Sequence, residues 1–286
     1  MLRRKLLAAL LFISALVGAC ASGSSPWQTP EAEARALLAG NGFELLASPP
    51  DVLAAVRPSR SPTRLLTVFI EGDGAVWPRP SVPPADPTPD NPLALRMAVS
   101  HLAQPSQPGE VVAYMARPCQ YLQSEVLASC PVQWWTTGRL GAAPLALLNE
   151  RLDQLKLKAP GAALRLVGYS GGGAVAALLA EQRRDIACLV TVAAPLDTDA
   201  WTRAKNVSPL SGSRNPTDSA AALRGLPMTH FSGAADSVVP AGTNQRFMAA
   251  AQTVETPLQG FNHDSQWLRA WPSLAQASCL SAPNQR

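Results

Sequence analysis

Short, unbroken apolar runs alternate along this chain with longer segments whose apolar positions recur every three to four residues. The runs at 43–47, 52–57, 65–71, 111–116, 164–168, 188–193, 229–233 and 253–257 read as strands. The central ones are apolar throughout, as strands covered on both faces of a parallel sheet must be. The segments at 93–103, 145–157, 172–182, 244–251 and 264–280 read as helices. Leu145, Leu148, Leu152 and Leu155 form a stripe that packs on a sheet. Strand and helix in alternation predict an α/β fold, with a mostly parallel central sheet of about eight strands flanked by helices.

Two connections break the alternation. Residues 76–92 carry Pro78, Pro80, Pro83, Pro84, Pro87, Pro89 and Pro92, which forbid helix and favour extended backbone. Residues 196–227 have the size of a small cap over a site and contain Trp201, Pro209, Pro216 and a short helix expected at 218–224. The 286 residues suffice for one large domain or two small ones, and 47% hydrophobic against 15% charged residues excludes a disordered chain. The net charge of +4 is mostly Arg3, Arg4 and Lys5. The remainder is nearly neutral, which removes the basis for a nucleic-acid partner.

Those three cations precede an uncharged run at 6–17 and then Gly18, Ala19 and Cys20, the pattern of a secretory signal. The run is too short to span a bilayer. Val17-Gly18-Ala19-Cys20 resembles the lipobox of bacterial lipoproteins. The resemblance implies a Cys20 that is acylated, becomes the mature N-terminus and anchors the chain in the lipid bilayer. Ala21 implies the outer membrane, facing the periplasm. The plainer reading is a free Cys20 after a signal cleaved elsewhere. The expected organisation is a signal at 1–19, a lipidated Cys and flexible tether at 20–40, and one domain at 41–286 with its cap near 196–227.

Export places the other cysteines, Cys119, Cys130, Cys188 and Cys279, in an oxidising compartment, where an even number reads as two disulfides. Three pairings exist. Cys119 with Cys130 closes a short loop, and Cys188 with Cys279 pins the C-terminal end to the sheet; this is the favoured set, against four reduced thiols as the alternative. Without C-x-x-C or a histidine at ligand spacing, no metal site is expected.

Chemistry centres on Gly168-Tyr169-Ser170-Gly171-Gly172, a G-x-S-x-G between an apolar strand and an alanine-rich helix. This is the pattern of a nucleophile on a sharp strand-to-helix turn. A serine nucleophile needs a base, and the chain has three histidines. His101 reads as a solvent-exposed or helix-end residue, and His230 alternates inside a strand. His263 lies in a loop, where a proton shuttle belongs. Asp236, in the turn after the strand at 229–233, is the orienting acid, with Asp197 and Asp199 competing. Ser170, Asp236 and His263 resemble, in type and chain order, the triad of the α/β-hydrolase superfamily, over about residues 41–280. Glu71-Gly72-Asp73-Gly74, Arg117-Pro118-Cys119-Gln120-Tyr121 and the 196–201 stretch resemble poorly characterised bacterial secreted or lipoprotein hydrolases of that superfamily.

The resemblance implies two backbone N–H donors for an oxyanion, one from Gly171 and one from Gly72 or Asp73. Glu71 and Asp73 depart from the His-Gly common at this place and put carboxylates where negative charge develops. Arg117 or Arg139 would have to pair one of them, unless Asp73 binds a cationic or polyol group or both only bond turn amides. Trp134, Trp135, Trp201, Trp267 and Trp271 are candidates for an apolar acyl pocket or for core. Dinucleotide, Walker and H-E-x-x-H motifs are missing, so no cofactor is expected. The expected activity is hydrolysis of a small or lipid-like ester through an acyl-enzyme. An amidase, thioesterase or acyltransferase using the same triad, and an inactive binding lipoprotein, are the alternatives.

Overall fold

The β-branched and leucine-rich runs assemble one eight-stranded sheet: β1 (Glu44–Leu45), β2 (Ala54–Val56), β3 (Leu65–Ile70), β4 (Glu110–Met115), β5 (Ala163–Tyr169), β6 (Ile186–Val192), β7 (Met228–Gly233) and β8 (Glu255–Leu258). Its order is β1-β2-β4-β3-β5-β6-β7-β8. Only the β1–β2 and β2–β4 pairs are antiparallel. From β4 to β8 all neighbours run parallel, so the C-terminal ends of β3, β5, β6, β7 and β8 share one edge. The structure is a computed structural model describing residues 29–47, 52–59, 62–74, 79, 82–104 and 107–282. The signal pattern, Cys20 and Ser22 to Pro26 lie outside the described residues.

The helices are α1 (Pro30–Gly40), α2 (Leu93–Leu102), α3 (Ser124–Leu127), α4 (Ala142–Leu157), α5 (Gly171–Ala180), α6 (Thr198–Lys205), α7 (Pro216–Ser219), α8 (Gln245–Ala251) and α9 (Trp267–Gln276). They divide between the two faces of the sheet. Leu164 and Leu166 of β5 join the leucines of α4, with α5 and Phe247 of α8, in one core. Val167 and Tyr169 point to the other, which holds Leu38 of α1, Met97 of α2 and Trp271 of α9. The two-residue period of a strand thus feeds both layers at once.

Residues 30–40, expected as tether, are helical. Thr29 caps α1 by accepting from the Ala32 amide at 3.2 Å, Pro30 starts it, and Ala34 and Leu38 are buried. These two, with half-buried Leu37, form a narrow stripe on the core, too little apolar periodicity to stand out beside a serine- and glycine-rich segment. In the cap region, α6 and α7 form ahead of a 3₁₀ turn at Ala220–Leu223, earlier than the single short helix expected at 218–224. Both expected disulfides are present, Cys119 to Cys130 and Cys188 to Cys279.

Candidate active site

Strand β5 enters α5 through Ser170, whose φ of 50° and ψ of −128° lie where a residue with a Cβ is strained. The Ser170 amide donates to Val192 O at 2.8 Å, fixing the turn against β6. The flanking glycines are steric necessities: a Cβ on Gly168 would stand 2.3 Å from Gly172 O, and one on Gly172 2.3 Å from Glu71 O. Strand, turn and helix meet too closely for side chains, so the G-x-S-x-G spacing follows from packing.

His263, after β8, places Nε2 3.0 Å from Ser170 Oγ. Its Nδ1 lies 2.9 Å from Asp236 Oδ2, in the turn after β7. The other oxygen, Asp236 Oδ1, accepts from the Val238 and Val239 amides at 2.8 Å each. With the carboxylate so held, Nδ1 carries the proton and donates to Asp236, leaving Nε2 to accept from the serine. The sequence reading missed the supports of this loop. Tyr169 Oη and Trp267 Nε1 donate to His263 O at 3.1 and 2.9 Å. Tyr169 is the variable residue of the motif itself, and its ring lies 5.4 Å from the imidazole.

The competing groups have other tasks. Asp197 caps α6 through the Ala200 amide and takes Asn215 Nδ2 and Arg246 as partners. His230 is buried in β7, bonded to Thr191 Oγ1 at 2.8 Å, and burial pushes its pKa down to about 4. His101 takes the helix-end place expected of it, in the last turn of α2, but its ring is covered: it packs on Phe69 and Trp271 and meets Glu110 at 3.2 Å. Trp267 and Trp271 are core, not pocket lining, because α9 turns its apolar face onto the sheet.

The loop after β3 settles the two carboxylates differently. Glu71 turns under the sheet edge and accepts from the amides of Gly72 (3.1 Å), Ala94 (3.2 Å) and Leu95 (3.4 Å) and from Tyr114 Oη (3.0 Å). It thereby satisfies the orphan donors at the start of α2, whose N-cap position, Pro92, supplies no side-chain acceptor. Burial pushes its carboxyl pKa up, against the pull of these four bonds. Because the Gly72 amide is committed to Glu71, it is not free as an oxyanion donor. The amides of Asp73 and Gly171 find no acceptor among the described residues.

The Asp73 carboxylate lies so close to Gly171 that a Cβ there would stand 2.0 Å from Oδ1. Burial alone would raise its pKa, yet Arg139 and Arg117 outweigh burial and hold it below the usual range. Arg117 Nη1 donates to Oδ1 at 2.7 Å, and Arg139 Nη1 stands 3.3 Å from Oδ2. Arg117 Nη2 is bound to Arg139 O at 2.7 Å, and Gln120 Nε2 to Gly72 O at 2.9 Å. The loop closed by Cys119 and Cys130 is thus flanked by Arg117 and contains Gln120, both of which brace the loop after β3.

No protein-family model matches the sequence, and no curated protein does. Solved structures do match. Puromycin hydrolase superposes with a TM-score of 0.56 at 18% identity, over 84% of this chain and 39% of its own, so this chain spans about two fifths of that protein. Est1E from Butyrivibrio proteoclasticus gives 0.56 at 12% identity, over 84% of this chain and all of its own. The Pyrococcus furiosus esterase Pf2001 gives 0.56 at 14%, over 85% and 95%. With the strand order, the turn at Ser170 and these likenesses in hand, the chain is seen to have the α/β-hydrolase fold.

Proposed function

We propose that this chain is a serine hydrolase that cleaves an ester through an acyl-enzyme, exported and held at a membrane by Cys20. The observation that carries the reading is the continuous chain from Ser170 Oγ through His263 to an Asp236 fixed by two amides. Names of neighbours in fold, two of them esterases, agree with it. Ser170 Oγ attacks the ester carbonyl carbon while its proton passes to His263 Nε2. The carbonyl oxygen becomes an oxyanion that accepts from the Gly171 and Asp73 amides, a role supported by their lack of any other acceptor among the described residues. The intermediate collapses, the C–O bond to the alcohol breaks, and His263 returns the proton to the departing oxygen. Water then repeats the sequence on the acyl-serine, giving the acid and free Ser170. Asp236 stays ionised throughout and keeps the imidazole in one tautomer.

Fluorophosphonate labelling of the purified, disulfide-intact protein, with the modified residue located by mass spectrometry, tests the chemistry. Label on Ser170 together with turnover of p-nitrophenyl esters is expected; a folded protein that leaves Ser170 unlabelled overturns the assignment. For the anchor, Cys20→Ser should move the protein from the membrane fraction to the soluble one in a bacterial host. Two closed disulfides support passage through an oxidising compartment.

A further inference from the structure

We infer that Arg139 forms an anion subsite beside Ser170, and that the ester cleaved carries a carboxylate, on its acyl or its alcohol side, a few atoms from its scissile bond. The inference rests on the hydrolase reading and names the substrate class of that same site. Its basis is a surplus of fixed positive charge. Asp73 needs one cation for neutrality, and Arg117 supplies it: that side chain is 4% exposed, with Nη1 on Asp73 and Nη2 on Arg139 O. Arg139 is a second cation on the same carboxylate, touching it through Nη1 alone. Its remaining guanidinium donors have no partner among the described residues, and its side chain is 14% exposed.

The guanidinium is also held ready. It lies over the Trp201 ring, 5.4 Å from the centroid, and Trp201 Nε1 is tied to Val238 O at 2.8 Å, in the turn that carries Asp236. A stacked guanidinium has lost its rotamer freedom before any ligand arrives, which is what a binding group needs. Position completes the argument. Asp73 touches Gly171 on one side and Arg139 on the other, so Arg139 stands one carboxylate away from an amide facing the oxyanion. Both Asp73 oxygens are taken by arginines, so the cationic or polyol partner considered from sequence meets an occupied carboxylate. A planar carboxylate suits the free donors of a guanidinium.

The test compares the purified protein on two matched pairs: mono-4-methylumbelliferyl adipate against 4-methylumbelliferyl hexanoate, with the charge on the acyl side, and 4-acetoxybenzoate against 4-acetoxybenzamide, with the charge on the leaving group. In one pair kcat/KM should favour the anionic member by about tenfold or more, mainly through KM. The preference should shrink as salt is raised. Arg139→Gln should bring the ratio to about one and Arg139→Lys should keep part of it; a merely structural Arg139 would lower both members alike and leave the ratio. A ratio near one in both pairs, or one that survives Arg139→Gln, overturns the subsite while the hydrolase reading stands. If no member is turned over and Ser170 resists fluorophosphonate, the hydrolase reading falls and takes the subsite with it.

Discussion

Two histidine–carboxylate pairs stand at opposite ends of this sheet. His263 and Asp236 lie 2.9 Å apart beyond the C-terminal ends of β8 and β7; His101 and Glu110 lie 3.2 Å apart where β4 begins. The two imidazoles are almost equally buried, at 11% and 10% exposed. Glu110 also accepts from Thr67 Oγ1, and Arg165 lowers its pKa further. What differs is the far side of the ring. His263 Nε2 meets a serine on a strained turn, whereas His101 Nδ1 has no hydrogen-bond partner among the described residues. A paired imidazole is therefore not a signature of chemistry by itself. The parallel strands decide it, because their C-terminal edge is where loops from non-adjacent segments converge.

Removing the nucleophile should break the comparison most strongly. Ser170→Ala is expected to lower kcat/KM for an ester by about 10⁵-fold or more, with an unchanged urea midpoint. Next, Asp236→Asn should lower it by about 10⁴-fold, through the wrong tautomer of His263. The matching change at the other end, Glu110→Gln, should alter kcat/KM by less than about threefold and cost about 1–3 kcal/mol in denaturant unfolding.

The disulfides sharpen the contrast. Cys188–Cys279 closes 91 residues and sits beside Leu280, whose carbonyl accepts from Arg165 near the His101 pair; Cys119–Cys130 closes 11 next to the Arg117 and Gln120 braces. Loop closure predicts losses of about 5 and about 3 kcal/mol when each pair becomes alanine. Activity should follow the reverse order, with kcat/KM kept in the first double variant and about tenfold lower in the second.

The last contrast is a pH profile, which leaves activity aside. Burial sets His230 at about 4, so the unfolded state binds the extra proton between about 4 and the ordinary 6.5, and stability falls as pH drops through that window. Burial raises Glu181 to about 7, so the folded state keeps its proton and stability falls as pH rises from 4.5 toward 7. The slopes oppose each other. His230→Gln should leave a profile that declines with rising pH and Glu181→Gln one that climbs, each by up to roughly 3 kcal/mol, readable from thermal unfolding.

The eight strands and helices α2, α4, α5, α8 and α9 were legible because covered strands and amphipathic helices write their periods into the sequence. Ser170, Asp236 and His263 were legible as candidates as well, since each follows a strand in a fixed order. Their convergence could not be read from spacing alone, as it depends on the parallel pairing of β5, β7 and β8. Helix α1 was hidden by its weak stripe. The helix-end place of His101 was legible, but not its burial, which comes from Phe69 and Trp271, far from it in the chain. The division of labour between Glu71 and Asp73 was equally invisible. It turns on which carboxylate rotates toward the amides of α2 and which toward Arg117 and Arg139.

That rotation couples two parts mechanically. Glu71 grips the first turn of α2 and the Gly72 amide with the same carboxylate, so the loop bearing the Asp73 amide cannot drift independently of a ten-residue helix. Loops are ordinarily the softest parts of a fold, yet this one inherits the stiffness of the layer beneath it. A disturbance of α2 or of Tyr114 would be transmitted to the Asp73 amide as displacement rather than absorbed as slack.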